Sequence, residues 1–587
     1  MNDNISISKG YSYKPFGVYR SGSVLQISVF FEGIKNCGIR LFNSKDKTDK
    51  GRLILFGEEY RVGSCFCVSL KNVNKALDTY LLYEDGKYFP DPYSRKIKGL
   101  SEFGKYVNEE DLRSCIDTEK FVFDDKKTTV AVKSPFIYLL NVRSFTKLDK
   151  SVPEKYRGTY KAVMLKIPYL KALGVSAVEL MPVHEIQSVL REKKTSSCKE
   201  EQRVNLWGFQ DGYYYAPRSA YAYASDKCDK ELKELVNALH SAGIEIILQF
   251  FFGKDTREDM VLDCIRYWVY EYKIDGVHIK SDNISVETLA KDPLLRGIKL
   301  YSNYNYNDSF LTAARHFLKS DDLSVTGFIN AMYPNKGGEI PVNYISNYAG
   351  FTLLDLVSFE HKQNEANGEN NLDGCIDNVS WNCGEEGLSK KKRVNDLRLK
   401  QMLNAVSFVM LSSAVPLINA GDEAGNTQGG NNNPYCQDNE TGWVLWSNRH
   451  KFKKLYDYIK FLSDERNSFT EYTGNISLNS DKAFNYPDIS FHGTSAWKPD
   501  FSGNSHSIAV MLRGNEDGCL YAVFNMYWDK MSFAPPALPK GMRWKIISDT
   551  SQKNVIYEEG KELSQNIIEV NERSVVLCRA FKTISKK

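Results

Sequence analysis

The run Ile274–Asp282 reads I-D-G-V-H-I-K-S-D and sets one lysine, Lys280, between two aspartates, Asp275 and Asp282. An amphipathic helix pattern from Asp263 to Lys273 precedes it, and its alternation predicts a short buried strand ending near Lys280. The C-terminal end of such a strand is where an α/β barrel keeps its chemistry. Two roles are open to a lysine there. It can form a buried ion pair with Asp275 or Asp282, which is the ordinary outcome and the expectation, or it can act as a Schiff-base nucleophile. No phosphate or carboxylate site accompanies the second role. Asp282 shares the face of Lys280 if the strand continues, and is the one nearby carboxylate that could rescue acid or nucleophile chemistry. The eight histidines show no metal-ligand spacing, and no P-loop or dinucleotide fingerprint occurs. Neither a metal nor a cofactor is expected.

The elements that must position these residues change character along the chain. At 587 residues the chain exceeds a single core. From about Tyr13 to Val132, short apolar runs (Val24 to Phe31, Gly38 to Phe42, Gly63 to Ser69, Thr79 to Tyr83) alternate with turn residues, which predicts an antiparallel β-sandwich. From Ser134 strands alternate with helices, the pattern of a (β/α)8 barrel. Ile137 to Val142 reads as the first strand, Ala177 to Val183 as the second, and Ile244 to Phe250, after the helix Lys230 to Ala242, as the third. From about Glu471 short β runs return. The predicted class is α/β, a barrel over 133–466 between β-sandwiches at 1–132 and 467–587.

Composition narrows the setting. A net charge of +4 with nearly balanced acids and bases gives no reason to expect nucleic acid or an anionic membrane as partner. No apolar run is long enough to span a bilayer, and Met1 to Tyr11 lacks the core of a signal peptide. The 12 cysteines are scattered, so reduced thiols in a cytoplasmic protein are expected. The 13% aromatic content, led by 35 Tyr, fits β-rich packing first and sugar-stacking surfaces second.

The run Arg157 to Glu185 (R-G-T-Y…I-P-Y-L-K-A-L-G-V-S-A-V-E-L-M-P-V-H-E) is very similar to the glycogen debranching enzyme and isoamylase family of the alpha-amylase superfamily. Asn205-Leu206-Trp207-Gly208-Phe209 and Tyr215-Ala216-Pro217 resemble the loop whose aromatics line the family's sugar cleft. The resemblance extends through Asn364 to Glu369, Ser380 to Gly384, Pro416 to Glu423 and Gly430 to Glu440, and into the C-terminal β runs. It implies an α-1,6-glucan debranching glycoside hydrolase, with the N-terminal sandwich similar to a carbohydrate-binding module.

The departures fall at the cleft. The family's nucleophile position, at the end of the fourth strand, holds Lys280. The acid/base position after the fifth strand (Lys299 to Tyr304) holds Asn303, and the transition-state aspartate of the seventh-strand motif is Ala349. Helper positions hold Gln249, Lys254, His278 and Tyr348, and the long excursion after the third strand is missing. Retaining hydrolysis needs two carboxyls about 5–5.5 Å apart. Lysine cannot form the glycosyl ester and repels an oxocarbenium-like charge, and asparagine can neither protonate a leaving oxygen nor deprotonate water. The expectation is therefore a non-catalytic homologue that binds α-glucan, through Trp207, Phe209, Tyr213 or Tyr348, or serves as regulatory partner of an active relative. The alternative is an active or residually active debranching hydrolase. Asp422 and Glu423 are expected to be structural.

Overall fold

The computed structural model describes residues 5–10, 12–32, 36–46, 48–116, 121–124, 135–192, 201–281, 284–334, 341–468, 489–513, 518–563 and 565–582. Seven parallel strands form the central sheet, in the order fifth, fourth, third, second, first, eighth, seventh of a (β/α)8 barrel. They are Ile137–Leu140, Ala177–Leu180, Glu245–Phe250, Gly276–Ile279, Lys299–Ser302, Val342–Asn343 and Val415–Asn419, with no sixth strand among the described residues. In its place Tyr306 makes one parallel bridge to Val342, and the Asn307 amide donates to the Val342 carbonyl at 3.0 Å. A sixth strand reduced to one residue follows from the short connection after the fifth, which passes through one turn at Asn303–Asn305.

The first and third strands are fully buried because the barrel covers both of their faces, so they carry largely continuous rather than alternating apolar runs. Ile137, Leu139, Ala177, Ile247, Val415 and Leu417 pack the interior, while Val178, Leu180, Ile246, Leu248 and Val277 pack against the surrounding helices. The fourth strand begins at Gly276, beside Ile247 and Lys299, and ends at Ile279; Lys280 follows as the first residue beyond it. The helix leading into it spans Glu258–Tyr272. Only residues 251–257 join the third strand to that helix, which leaves no room for a wall over that side of the mouth.

Before the barrel, a five-stranded and a six-stranded antiparallel sheet enclose a core of Leu25, Ile27, Ile39, Phe66, Val68 and Leu82. After it, a six-stranded and a two-stranded sheet enclose Met511, Tyr521, Phe533, Trp544 and Cys578. Among the described residues no helix is long and apolar enough to cross a membrane.

Candidate functional site

At the mouth of the barrel the side chains form two layers. The lower is a polar knot inside the barrel around Glu179, on the second strand and fully buried. Its Oε1 accepts from Gln249 Nε2 at 2.6 Å and from His278 Nδ1 at 2.8 Å, and Tyr306 donates its hydroxyl to Oε2. The register aligns Gln249 with His278 across the third and fourth strands, so both reach the same carboxylate. The Tyr306 ring also stacks on His278 at 4.0 Å. Burial works against the charge on Glu179, but the donors from His278, Tyr306 and Gln249 outweigh it and hold the carboxyl below its ordinary range. Burial, aided by the nearby Lys280 ammonium, pushes His278 down against the pull of Glu179.

The upper layer is aromatic. Lys280 Nζ lies 5.3 Å from the ring centre of Tyr348, 5.8 Å from Phe209 and 6.0 Å from Tyr306. Tyr348 in turn stacks on Phe209 at 5.5 Å and meets Trp207 edge-on at 5.0 Å; Trp207 also meets Tyr435 at 6.2 Å. Burial lowers the Lys280 pKa, opposed by the charges of Glu179 and Asp308. The ammonium is thus held by ring faces rather than by a direct partner.

The expected ion pair to Asp275 is corrected. Asp275 turns to the helix side, where its carboxylate sits 2.8 Å from His240 Nε2 and accepts from the Ile246 amide. The reason is parity along the strand: Asp275 lies five residues before Lys280 and so faces away from the interior. Among the described residues no carboxylate comes within 4 Å of Lys280 Nζ; Asp282 lies outside them.

A rigid loop carries the two lid rings. Trp207 and Phe209 flank Gly208, whose backbone is left-handed (φ +89°). The Gly208 amide donates to Asn205 Oδ1 at 2.8 Å, the Leu206 amide donates to the Tyr435 carbonyl at 2.7 Å, and Asn141 Nδ2 donates to the Leu206 carbonyl. A Cβ at Gly208 would stand 3.2 Å from Arg218 Nη1 and from Pro182 Cβ, so the turn needs glycine.

The structure brings Lys280, Gln249, His278, Trp207, Phe209 and Tyr348 together. Asn303 lies beside them, its side chain acting on His278, and is itself exposed, as are Ala349 and Lys254. Tyr213 is elsewhere: it pairs with Glu185 and packs with Ile97, Leu100 and Leu112 from the N-terminal region, because its strand runs away from the mouth. Asp422 and Glu423 are buried scaffold groups. Asp422 accepts from Ser346 and from the Leu353 amide, and Glu423 accepts from Tyr138 and Tyr169 at 2.8 and 2.7 Å. Burial raises Asp422 to about 7. The central residue that sequence reasoning passed over is Glu179. A single charge inside the apolar run Ala177–Met181 was its signal, since a buried carboxylate requires partners.

Both carboxylates that act on the Lys280 ammonium are already engaged. Glu179 is sealed under three donors, and Asp308, on the first turn of the helix Asp308–Lys319, accepts from the Tyr344 hydroxyl. Above them the site holds a half-buried cation set against ring faces.

Comparison with known proteins agrees with this architecture. Residues 490–568 match the family model "Isoamylase 1-3, C-terminal". The chain is 28% identical to isoamylase 1, chloroplastic, of Arabidopsis thaliana over 80% of this chain and 74% of that one. It is 29% identical to isoamylase 3, chloroplastic, of rice over 84% and 74%, and 31% identical to the glycogen debranching enzyme of Erwinia tasmaniensis over 58% and 63%. In fold it is similar to the catalytic module of the glycogen-degrading pneumococcal virulence factor SpuA (TM-score 0.74, 14% identity, 98% of each chain). It is likewise similar to pullulanase type I of Bacillus subtilis in complex with maltose (TM-score 0.70, 15% identity, 98% and 86%). With these matches running through barrel and flanking sheets alike, the chain belongs to the isoamylase and glycogen-debranching family of the alpha-amylase superfamily.

Proposed function

We propose that this chain is a non-hydrolytic debranching-enzyme relative that binds α-glucan and acts as regulatory partner of an active relative in glycogen or starch metabolism. The observation that carries the reading is Lys280. Where the family places its nucleophile, this chain holds an ammonium caged by Phe209, Tyr306 and Tyr348. Such a cation opposes the oxocarbenium-like charge that glycoside cleavage develops, and the replacements Asn303 and Ala349 supply no compensating carboxylate. The rings of Trp207, Phe209 and Tyr348 contact one another, so they act as a plug in the mouth. The glucan-directed part of the reading is supported by the relatives, whose names include isoamylases and a structure holding maltose. Residence in the cytoplasm is part of the proposal, supported by the free thiols of the described cysteines.

The test is a mixing experiment. The purified chain is titrated into an active debranching enzyme acting on glycogen, and the two are also passed together through a sizing column. Co-elution with a changed debranching rate is expected. Independent elution with an unchanged rate at every ratio would rule out the partner role.

A further inference from the structure

We propose that a basic cavity between the barrel and the C-terminal sandwich binds a small molecule carrying two or more phosphate groups. The cavity has a volume of about 750 Å³, within the range of small-ligand sites. One wall is the start of the helix Lys392–Met410 and a second is the start of the helix Lys453–Ser468. The third comes from the sandwich, at 550–553 and 572–573. None of the mouth residues lines it.

Its charge is one-sided. Lys392, Arg393, Lys400, Lys454, Lys553 and Arg573 line it against two acids, Asp396 and Glu572, an excess of four positive charges. Each acid is taken by one lysine, Asp396 by Lys392 at 3.6 Å and Glu572 by Lys400 at 3.3 Å. Arg573 gives one nitrogen to the Lys319 carbonyl at 3.1 Å and rests over the Trp381 ring. Arg393, Lys454 and Lys553 remain, and among the described residues none of them has a carboxylate within 4 Å.

This concentration of charge works against the free protein. Burial pushes the Lys454 amine down; Asp396 opposes the shift and the Lys553 ammonium adds to it. Neither helix carries an acid in its first turn, so the partial positive charge of the helix ends adds to that of the side chains. The walls are nevertheless fixed. Asp549 Oδ1 accepts from the amide and the hydroxyl of Ser551 at 2.9 and 2.6 Å, which pins the turn that carries Lys553. Lys400 Nζ donates to the Glu572 carbonyl at 2.8 Å. Cations held close on a fixed backbone are preorganised for an anion.

Two phosphate groups bring about three to four negative charges at neutral pH, which matches the excess, and their oxygens accept from Lys and Arg in several directions. A neutral sugar leaves the excess unanswered, and a nucleic-acid strand needs an open track rather than a cavity. Because helices of the barrel and turns of the sandwich share the site, the bound anion joins the two and raises the melting temperature of the whole chain.

The experiment is titration calorimetry on the intact chain at physiological ionic strength, with inorganic pyrophosphate, ATP and fructose 1,6-bisphosphate as probes. Saturable binding of at least one probe is expected, weakening as salt rises. Equal affinity for all three would mean that the phosphates alone are read, and a preference for ATP or for the bisphosphate would identify a nucleoside or a sugar as the body that carries them. Arg393→Gln, Lys454→Gln and Lys553→Gln are each expected to weaken binding by about tenfold, the loss of one charge-assisted contact. None of the three should lower the melting temperature of the ligand-free chain, since each relieves repulsion. Lys453→Gln, one residue along the same helix and paired with Asp457, is expected to bind as the unmodified chain does. No saturable binding of any probe, undiminished binding in all three cavity variants, or tighter binding of a single-stranded oligonucleotide than of every probe would overturn the proposal. So would a lowered melting temperature in all three ligand-free variants, which would make these cations structural.

Discussion

At the scale of single residues, the account turns on a carboxylate and an ammonium in one barrel mouth. Glu179 neutralises nothing in direct contact; it is held by three donors in the buried barrel interior. Truncating it strands all of them, so Glu179→Ala is expected to destabilise the chain by about 3–5 kcal/mol, read as a lower denaturant midpoint at unchanged slope. Glu179→Gln, which keeps an acceptor, should cost less. Reinstalling the family's residue by Lys280→Asp is expected to give no hydrolysis of glycogen or limit dextrin. The variant still lacks a carboxyl at Asn303 and sets its new charge near Glu179. Much of this was legible in the sequence, because strand flanks such as Gly276–Val277 and Lys299–Leu300 identify which residue stands at each barrel position. The company of Lys280 was not. Its rings come from Phe209, Tyr306 and Tyr348, brought in by barrel closure from three separate loops, while the nearer Asp275 is turned away by strand parity.

At the scale of elements, two features can be probed separately. The lid loop depends on the left-handed turn at Gly208. Gly208→Ala is expected to lose about 1–2 kcal/mol of stability from backbone strain and close contact, and to expose Lys280 to amine-labelling reagents followed by mass spectrometry. Beside it, the turn after the eighth strand rests on Asp422, whose carboxyl burial raises to about 7. A raised folded pKa means that the folded state holds more protons than the unfolded one between the unfolded value near 3.8 and about 7. The contribution of Asp422 to stability is therefore full below that window and is lost as pH rises through it. Asp422→Asn should thus gain stability relative to the unmodified chain as pH increases from 4 to 7, as followed by thermal melts across that range. The sixth strand shows the limit of pattern reading at this scale. A strand of one bridging residue, Tyr306, carries no periodicity to read, although the shortened loop after the fifth strand was plain.

At the scale of the whole molecule, the sandwiches and barrel are coupled, with side chains from one completing surfaces of another. Phe30 lies under the Arg257 guanidinium, Tyr93 against Tyr215, and Lys400 and Arg573 bridge barrel helices to the C-terminal strands. Removing residues 1–116 bares Tyr215 and Tyr267, and is expected to lower the melting temperature of the remainder and promote its aggregation, as followed by light scattering. Barrel and flanking sheets are thus held together by these contacts, while the mouth holds a caged cation. The most direct measurement is reducing-end release from glycogen and from a limit dextrin by the purified chain, alone, beside an active isoamylase at equal concentration. The account predicts release no greater than the protein-free blank. Release at a rate comparable to the isoamylase would contradict it.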